Sequence, residues 1–228
     1  MTRRDYRQYC GLAAALDVLG ERWTILIVRE LLLGPRRYGE LLAELPGIGT
    51  NLLAERLKYL MERGVLRRTA GGAGNERTYE LTERGEELRG PVLGLARWGL
   101  ALLGPPTGEE LVRPHWGFLA VQSMMDPALA TGKDESYEFH VDDEVFHIQV
   151  RDGQPSASHG AAPDEPAMVA HVDSATFLEI GAKRLSPFEA LALGRLAIDG
   201  DSAAIMRCSV LLGLVPAPTD EEPDPTVR

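Results

Sequence analysis

The stretch from Ile48 to Thr82 constrains the fold most, because it joins a short amphipathic helix directly to a hairpin. Apolar residues recur at helical spacing along it, at Leu53, Leu57, Leu60 and Met61. This spacing predicts a helix over residues 52–64 with one face in a core. We expect Thr50 to cap the helix with its hydroxyl and Gly64 to end it. The opposite face of the helix is polar and is expected to lie in solvent.

Two short runs rich in β-forming residues follow, Val65–Thr69 and Arg77–Leu81, joined by the glycine-rich segment 71–75. This pattern predicts a hairpin. A polar-faced helix followed at once by a basic hairpin is typical of a winged helix, which places the helix in the major groove of DNA and the hairpin against its flank. The sequence therefore predicts a DNA-binding unit here.

A net charge of −10 does not favour DNA binding, but the charge is unevenly distributed along the 228 residues. Residues 1–104 carry 16 Lys and Arg against 13 Asp and Glu, whereas residues 105–228 carry 8 against 21. The length exceeds that of one typical domain. The asymmetry indicates two domains with different roles, of which only the first is suited to nucleic acid.

Cysteine usage and hydropathy indicate the compartment. Cys10 and Cys208 supply neither a disulfide framework nor metal-ligand spacing. Asp17 interrupts the apolar run near the N-terminus, which argues against a signal peptide. We found no apolar window long enough to span a membrane. We therefore expect a cytoplasmic protein that does not associate with membranes.

Four further helices are predicted in residues 1–104: residues 10–19, Glu21–Leu33, Tyr38–Leu45, and a long helix from Glu83 to about Leu103 capped by Thr82. An apolar stripe runs along the long helix at Leu88, Val92, Leu95, Trp98 and Leu102. This stripe is either a dimer surface or the cover of its own domain's core.

Residues 1–104 closely resemble the HxlR-type winged helix-turn-helix regulators. The motifs that carry the resemblance are Tyr9-Cys10, Ala15–Thr24, Leu26–Leu31, Gly34–Leu41, Leu45–Ile48, Leu53–Leu57, Tyr79–Gly85 and Trp98-Gly99. The resemblance implies a homodimeric transcriptional regulator whose two recognition helices read a pseudo-palindromic operator in double-stranded DNA.

Eight residues are the predicted DNA contacts: Arg37, Thr50, Asn51, Glu55, Arg56, Lys58, Asn75 and Arg77. We expect Asn51 and Arg56 to face outward and read bases, because their side chains pair with adenine and guanine edges. Basic residues of the hairpin would hold phosphates instead. The alternative is an ordinary solvated face.

The second half begins after a proline- and glycine-rich linker at 105–111. The sequence predicts a helix from Pro114 to Met125. Alternating apolar residues then predict strands around residues 137–141, 146–150 and 167–173. Turns are expected at Asp143-Glu144 and Asp152-Gly153. Ser186–Glu189 is a capping box that opens a helix through Leu193, and Gly200-Asp201 starts a last helix. The acidic, proline-rich segment 214–228 is expected to be disordered.

Residues 112–213 resemble the sterol carrier protein-type lipid-binding fold, through Asp152-Gly153, Asp173–Leu178, Leu185–Leu191 and Gly194–Asp201. The resemblance implies an α/β layer with an apolar cavity between sheet and helices. The complete chain is therefore predicted to be α+β, with a winged helix-turn-helix domain followed by a sterol carrier protein-like domain. We expect an apolar small-molecule effector, with ligand contacts from Trp116, Phe139, Phe146, Ile148 and Phe177.

Three alternatives concern chemistry outside these roles. Cys10 is either a redox-sensing thiol or a small packed residue of the first helix. His140, His147 and His171 share a sheet face, with the first two expected directly opposite each other, but a polar face is the default and we predict no metal site. The sequence contains no nucleophile elbow, phosphate loop or carboxylate pair, so we expect neither an enzyme nor a cofactor.

The alternative function for the complete chain is a lipid- or ligand-binding protein whose winged helix binds another protein.

Overall fold

The computed structural model describes residues 5–70, 77–105, 107 and 110–216, and it divides the chain into two compact units, one ending at Val92 and one beginning at Leu93. This division lies earlier than the predicted linker at 105–111. Within the second unit, the guanidinium of Arg184 donates a hydrogen bond to the carbonyl of Leu103 over 3.0 Å. That bond joins the segment before the linker to the C-terminal unit. The part of the predicted disordered tail from 217 onward lies outside the described residues.

The first unit is a winged helix-turn-helix. Its elements are α1 Gly11–Leu19, α2 Thr24–Leu32, β1 Arg36–Arg37, α3 Tyr38–Glu44, α4 Thr50–Glu62, β2 Leu66–Ala70, β3 Arg77–Leu81 and α5 Glu83–Glu86, and α6 Arg89–Leu100 crosses the division. The antiparallel sheet has the order β1-β3-β2, so the predicted hairpin is confirmed and gains a third strand.

Helix α2 lies at the centre of this unit, as its apolar character predicts. The core gathers residues from α2, α3 and α4, all with at most 2% of their surface exposed: Ile27, Val28, Leu31, Leu41, Leu53, Leu57 and Leu60. The carboxylate of Glu30 is also buried and is paired with Arg29. One stripe of α4 is left to solvent, at Asn51, Ala54, Glu55, Lys58 and Glu62.

Two predicted helix starts are wrong. Helix α2 begins at Thr24 rather than Glu21, because Trp23 adopts a left-handed backbone (φ 77°) that does not continue a helix. The cap of α4 is Gly49 rather than Thr50, which lies inside the first turn and accepts a hydrogen bond on its carbonyl from the Tyr38 hydroxyl over 2.6 Å.

The single long helix predicted from Glu83 is two helices, α5 and α6. Thr82 does cap α5, since its hydroxyl oxygen accepts a hydrogen bond from the Gly85 N–H over 3.1 Å. Pro91 explains the break, because it has no N–H to donate to the carbonyl of Glu87. Proline is tolerated in the first turn of a helix, which is where Pro91 lies in α6.

The second unit packs helices against a five-stranded mixed sheet of order β6-β5-β4-β7-β8. Its elements are α7 His115–Met124, a 3₁₀ turn Pro127–Leu129, β4 Glu135–Val141, β5 Glu144–Arg151, β6 Gln154–His159, β7 Met168–Val172, α8 Ser174–Gly181, α9 Pro187–Ala192, β8 Leu196–Gly200 and α10 Ser202–Leu211. Strands β4 and β7 are parallel and the other pairs are antiparallel. The capping box of α9 is confirmed, with Ser186 and Glu189 as its members.

The turn between β4 and β5 lies one residue earlier than predicted, so each β5 residue pairs with a β4 residue two positions earlier than expected. The turn is Asp142-Asp143, with Asp142 in a left-handed conformation (φ 51°). His147 therefore lies opposite Glu138 rather than His140. His140 instead neighbours His171 across the parallel pair, with ring centroids 4.5 Å apart.

Among the described residues, no helix combines the length and apolar character needed to cross a membrane.

Candidate nucleic-acid interface and apolar cavity

One stripe of α4 is exposed along its whole length. Residues three and four apart share a helix face, and the exposed stripe consists of Asn51, Ala54, Glu55, Lys58 and Glu62. Asn51 offers an amide that pairs with an adenine edge, and Lys58 offers a charge for phosphate. The Lys58 ammonium lies 3.9 Å from Glu62, and both side chains are more than half exposed, so this ion pair is weak.

Arg56 does not face outward as predicted. Its side chain is only 12% exposed, and its guanidinium donates a hydrogen bond to Glu21 over 2.9 Å and to Glu55 over 3.4 Å. Glu21 precedes α2, so this ion pair ties the recognition helix to the turn between α1 and α2. Arg56 therefore lies beside the exposed stripe of α4 and must leave Glu21 before it can contact a base.

The junction between α4 and the hairpin is fixed by backbone hydrogen bonds. Gly64 has φ 70°, and the N–H groups of Gly64 and Val65 donate to the carbonyls of Met61 and Leu60. This is the Schellman arrangement that satisfies the last carbonyls of a helix. The Thr82 hydroxyl then donates to the Gly64 carbonyl over 2.6 Å. The end of the hairpin is thereby held against the end of the recognition helix.

The arginines of the hairpin are not equivalent. Arg67 donates to Glu80 over 2.5 Å, so its charge is offset. The guanidinium of Arg68 lies 6.0 Å from the centre of the Tyr79 ring. Arg77 is exposed at the start of β3, next to the tip. Arg77 is therefore the hairpin arginine best placed to contact a phosphate.

The structure brings most of the predicted DNA contacts to exposed positions of α4, the hairpin and the start of α3. Six of the eight are exposed: Arg37, Thr50, Asn51, Glu55, Lys58 and Arg77. Arg37 precedes α3, where its backbone N–H donates to Glu40 over 2.6 Å. Asn75 lies outside the described residues.

Two helices carry exposed apolar side chains. On α1 these are Leu12 and Leu16, 69% and 38% exposed. On α6 and just beyond it they are Leu95, Trp98 and Leu102, with exposures of 51%, 68% and 65%. Val92 is buried, so the predicted stripe of the long helix splits into an inward part and an outward part.

Cys10 is exposed at the N-terminal cap of α1, which argues against the packed-residue interpretation. Hydrogen bonds from the backbone N–H groups of Ala13 and Leu12 lower the pKa of its thiol. A lowered pKa and exposure are the two requirements of a reactive cysteine. Cys208, in contrast, is buried in α10, and burial raises the pKa of its thiol.

An apolar cavity of about 60 Å³ lies in the second unit between the sheet and helices α7 to α10. Its wall is almost wholly hydrocarbon and includes Val121, Met124, Phe139, Met168, Ala170, Val172, Phe177, Ile180, Pro187, Leu196, Ile198, Ile205, Cys208 and Ser209. Of the five predicted ligand contacts, Phe139 and Phe177 lie on this wall. Phe146 and Ile148 are fully buried elsewhere in the core, and Trp116 is half-buried.

The histidine-bearing face of the sheet is occupied by hydrogen bonds to protein groups. Glu138 lies 2.7 Å from the His140 ring nitrogen and accepts a hydrogen bond from the Ala162 N–H, also over 2.7 Å. The Nδ1 of His147 lies 2.9 Å from the Gly160 carbonyl. The segment around 160–162 thus contacts Glu138 and His147, whereas His171 is exposed.

The sequence does not predict one buried ion pair in the second unit. Arg207 of α10 donates two hydrogen bonds to Glu135 of β4, over 2.5 and 2.6 Å, and the Tyr137 hydroxyl donates a third over 2.6 Å. Burial would raise the pKa of Glu135, but these hydrogen bonds outweigh it and lower the pKa to about 2. The two residues are distant in sequence, so no local pattern could have paired them.

Comparisons with known proteins find two families along the chain. Residues 18–106 match the HxlR-like helix-turn-helix family model, and residues 118–213 match that of the SCP-2 sterol transfer family. The uncharacterized HTH-type transcriptional regulator MT3179 of Mycobacterium tuberculosis (strain CDC 1551 / Oshkosh) is 40% identical over 106 residues, which cover 46% of this chain and 66% of that protein. This chain thus spans just under two thirds of that relative's length.

Two Bacillus subtilis (strain 168) proteins are also similar. The uncharacterized HTH-type transcriptional regulator YvaP is 39% identical over 93 residues, covering 40% of this chain and 85% of that protein. The solved structure of the reduced form of the transcriptional regulator YodB shares 31% identity and covers 43% of this chain and 99% of that one, with a TM-score of 0.38.

The fold and the sequence matches identify the first unit as a winged helix-turn-helix of the kind found in HTH-type transcriptional regulators. The chain belongs to the HxlR-like helix-turn-helix family, and it carries a C-terminal domain of the SCP-2 sterol transfer family.

Proposed function

We propose that this regulator acts in the cytoplasm as a homodimer that reads a pseudo-palindromic operator with two copies of α4. The exposed stripe of α4, which includes Asn51 and Lys58, is the observation that carries the proposal. Asn51 supplies a base contact, while Lys58 and Arg77 supply phosphate contacts. A gel shift with the DNA upstream of its own gene tests this, and equal retardation of a scrambled sequence would contradict it.

The homodimer is inferred from apolar side chains that are exposed to solvent. Trp98 and Leu102 lie one helical turn apart on one face of α6 and its extension, and both are about two-thirds exposed. Aromatic residues are common at the centre of protein interfaces. Sedimentation of the wild type and of Trp98→Glu tests the assignment. The wild type should sediment as a dimer and the variant as a monomer with the same helical content. A variant that remains dimeric would remove α6 from the interface.

The C-terminal domain is proposed to sense an apolar molecule rather than to catalyse a reaction. The apolar cavity supports this, because ligand sites are mostly apolar with few polar groups. The negative charge of residues 105–228 is a second reason, since it keeps this domain away from DNA. Effector and operator must then change each other's affinity by the same factor. Repeating the gel shift with a lipid extract and, separately, with a small aromatic molecule such as toluene tests the coupling, and a gel shift that neither changes would contradict it.

A second candidate is redox regulation through Cys10, favoured by its exposure and lowered pKa. In this mode, oxidation of the thiol changes operator affinity. Peroxide treatment should weaken operator binding by the wild type and leave Cys10→Ser unaffected. Equal loss in both proteins would exclude Cys10 as the sensor.

A further inference from the structure

The chemistry of the cavity wall limits the charge of what can bind there. Its described lining contains no Lys, Arg, His, Asp or Glu side chain. The polar side chains on the wall are those of Cys208 and Ser209. The Ser209 hydroxyl already donates a hydrogen bond to the Ile205 carbonyl over 2.8 Å, so it does not donate one to a ligand. A carboxylate placed in this cavity would therefore have no countercharge and no strong donor, and its burial would be costly.

The size of the cavity limits the shape of the ligand. An apolar cavity of about 150 Å³ accepts benzene, whereas this one measures about 60 Å³. A ring-sized molecule fits once one or two flexible side chains move aside. Met124 and Met168 line the cavity and are suited to this, because methionine is unbranched and adapts to irregular space. A sterol or a long acyl chain would require far more rearrangement.

One short helix lies between the cavity and solvent. Pro187 of α9 lies on the wall, while the next residue, Phe188, is 55% exposed. Lys183 before α9 and Gly194 after it both have positive φ, of 57° and 67°. Helix α9 is thus a separate segment between two sharp turns, with the cavity on one side and solvent on the other.

We propose that this cavity binds a compact, neutral, apolar molecule about the size of one aromatic ring and rejects carboxylates such as fatty acids. The proposal rests on the proposed sensing function of the C-terminal domain and narrows the class of effector. The neutral wall sets the charge preference, and the small volume sets the preference for a compact shape.

Toluene and benzoate are matched probes, since they have nearly the same shape and differ in charge. Calorimetric titration of the full-length, delipidated protein at pH 7, without DNA, should give a Kd for toluene at least about tenfold lower than for benzoate or decanoate. Benzoate or decanoate binding as tightly as toluene would overturn the proposal. Failure of all three to bind would also overturn it, because the cavity would then be only a packing gap.

Two variants test whether the ligand binds in this cavity. Ala170→Leu fills the cavity from β7, whereas Ala197→Leu makes the same change at an exposed position of the neighbouring strand β8. Toluene binding should be lost in the first variant and kept in the second. Should Ala170→Leu fail to fold, Gly181→Ala is the substitute, because Gly181 and Met124 both line the cavity and the added Cβ would lie 3.2 Å from the Met124 sulfur. Toluene binding that survives in the filled variant would place the ligand elsewhere.

Failure of this proposal and failure of the sensing function give different results. If toluene binds and operator affinity is unchanged, the proposed ligand class is supported and the proposed sensing function is wrong. If decanoate binds instead and shifts operator affinity, sensing stands and the ligand class assigned to this cavity is wrong.

Discussion

Arg56 in the DNA-binding unit and Arg207 in the sheet unit are each paired with a glutamate, but the partners differ in exposure. The side chain of Glu21, the partner of Arg56, is 50% exposed, whereas that of Glu135, the partner of Arg207, is 4% exposed. An ion pair near the surface contributes little and is easily exchanged. A buried pair leaves an uncompensated charge when one partner is removed. The first pair can therefore give way to DNA, while the second fixes β4 against α10.

The largest effect is expected from breaking the buried pair. Glu135→Gln leaves the guanidinium of Arg207 with only Asp201, 3.6 Å away, as a counterion. It should therefore lower the free energy of unfolding of the C-terminal domain by up to about 3 kcal/mol. Urea denaturation measures this change. The matched control is Asp164→Asn, which removes an exposed pair with Arg151 and should cost less than about 1 kcal/mol. Equal losses in the two variants would contradict the distinction between the pairs.

The same pair predicts a pH dependence. The pKa of Glu135 is lowered from 4.5 to about 2 in the folded protein, so the unfolded chain takes up its proton first. Its stabilising contribution is complete above pH 4.5 and is lost as the pH falls towards 2. The stability difference between wild type and Glu135→Gln should therefore shrink over this range. A constant difference would mean that the carboxylate charge is not what stabilises the fold.

Within the DNA-binding unit, Asn51→Ala should have the largest effect. It removes a base contact, so the free energy of operator binding should fall by about 1–3 kcal/mol, with relaxed preference at one base pair per half-site. Binding to a set of single-base operator variants measures both. Lys58→Ala is the comparison, because loss of a phosphate contact weakens all sequences alike. A uniform loss in Asn51→Ala would show that Asn51 contacts the backbone.

A smaller effect is expected at the hairpin. Arg77→Ala should make the logarithm of affinity less steep against the logarithm of salt concentration by about one unit. Arg67→Ala should change the slope less, since Glu80 already offsets the charge of Arg67. Salt titrations of both variants test this order. An unchanged slope in Arg77→Ala would remove the hairpin from the interface.

The smallest effect is expected from releasing Arg56. Glu21→Gln leaves the Arg56 guanidinium with only its 3.4 Å hydrogen bond to Glu55. Its charge is then less offset, which should raise DNA affinity severalfold, corresponding to about 1 kcal/mol or less. In the background of Arg56→Ala, the same substitution should change nothing, which a double-mutant cycle would measure. A gain that persists without Arg56 would mean that Glu21 repels DNA directly.

The sequence correctly predicted those helices and strands whose ends depend on residues close together in the chain. The helix ended by Gly64, the hairpin that follows it and the capping box at Ser186 all depend on residues close in sequence, and all are present. The helix break at Pro91 was missed, because the apolar stripe continues through it. The break could have been read from the missing N–H of the proline.

Contacts between distant segments were not predictable from one sequence. Nothing near Arg56 indicates that Glu21 accepts its hydrogen bond, so the arginine was expected to face outward. Strand β8 was also missed, since its short run Leu196–Gly200 is an edge strand whose partner, β7, lies before two intervening helices. Of the cavity wall, only Phe139 and Phe177 were anticipated, because strand alternation gives the face of the sheet but not the position of a gap within it.

Hydroxyl-radical footprinting of the DNA upstream of its own gene tests the central claim most directly. Two recognition helices in successive major grooves should protect two half-sites with centres about 10 base pairs apart, and Asn51→Ala should weaken both together. Protection of a single half-site, or protection that does not depend on α4, would contradict a homodimer that reads its operator through this helix.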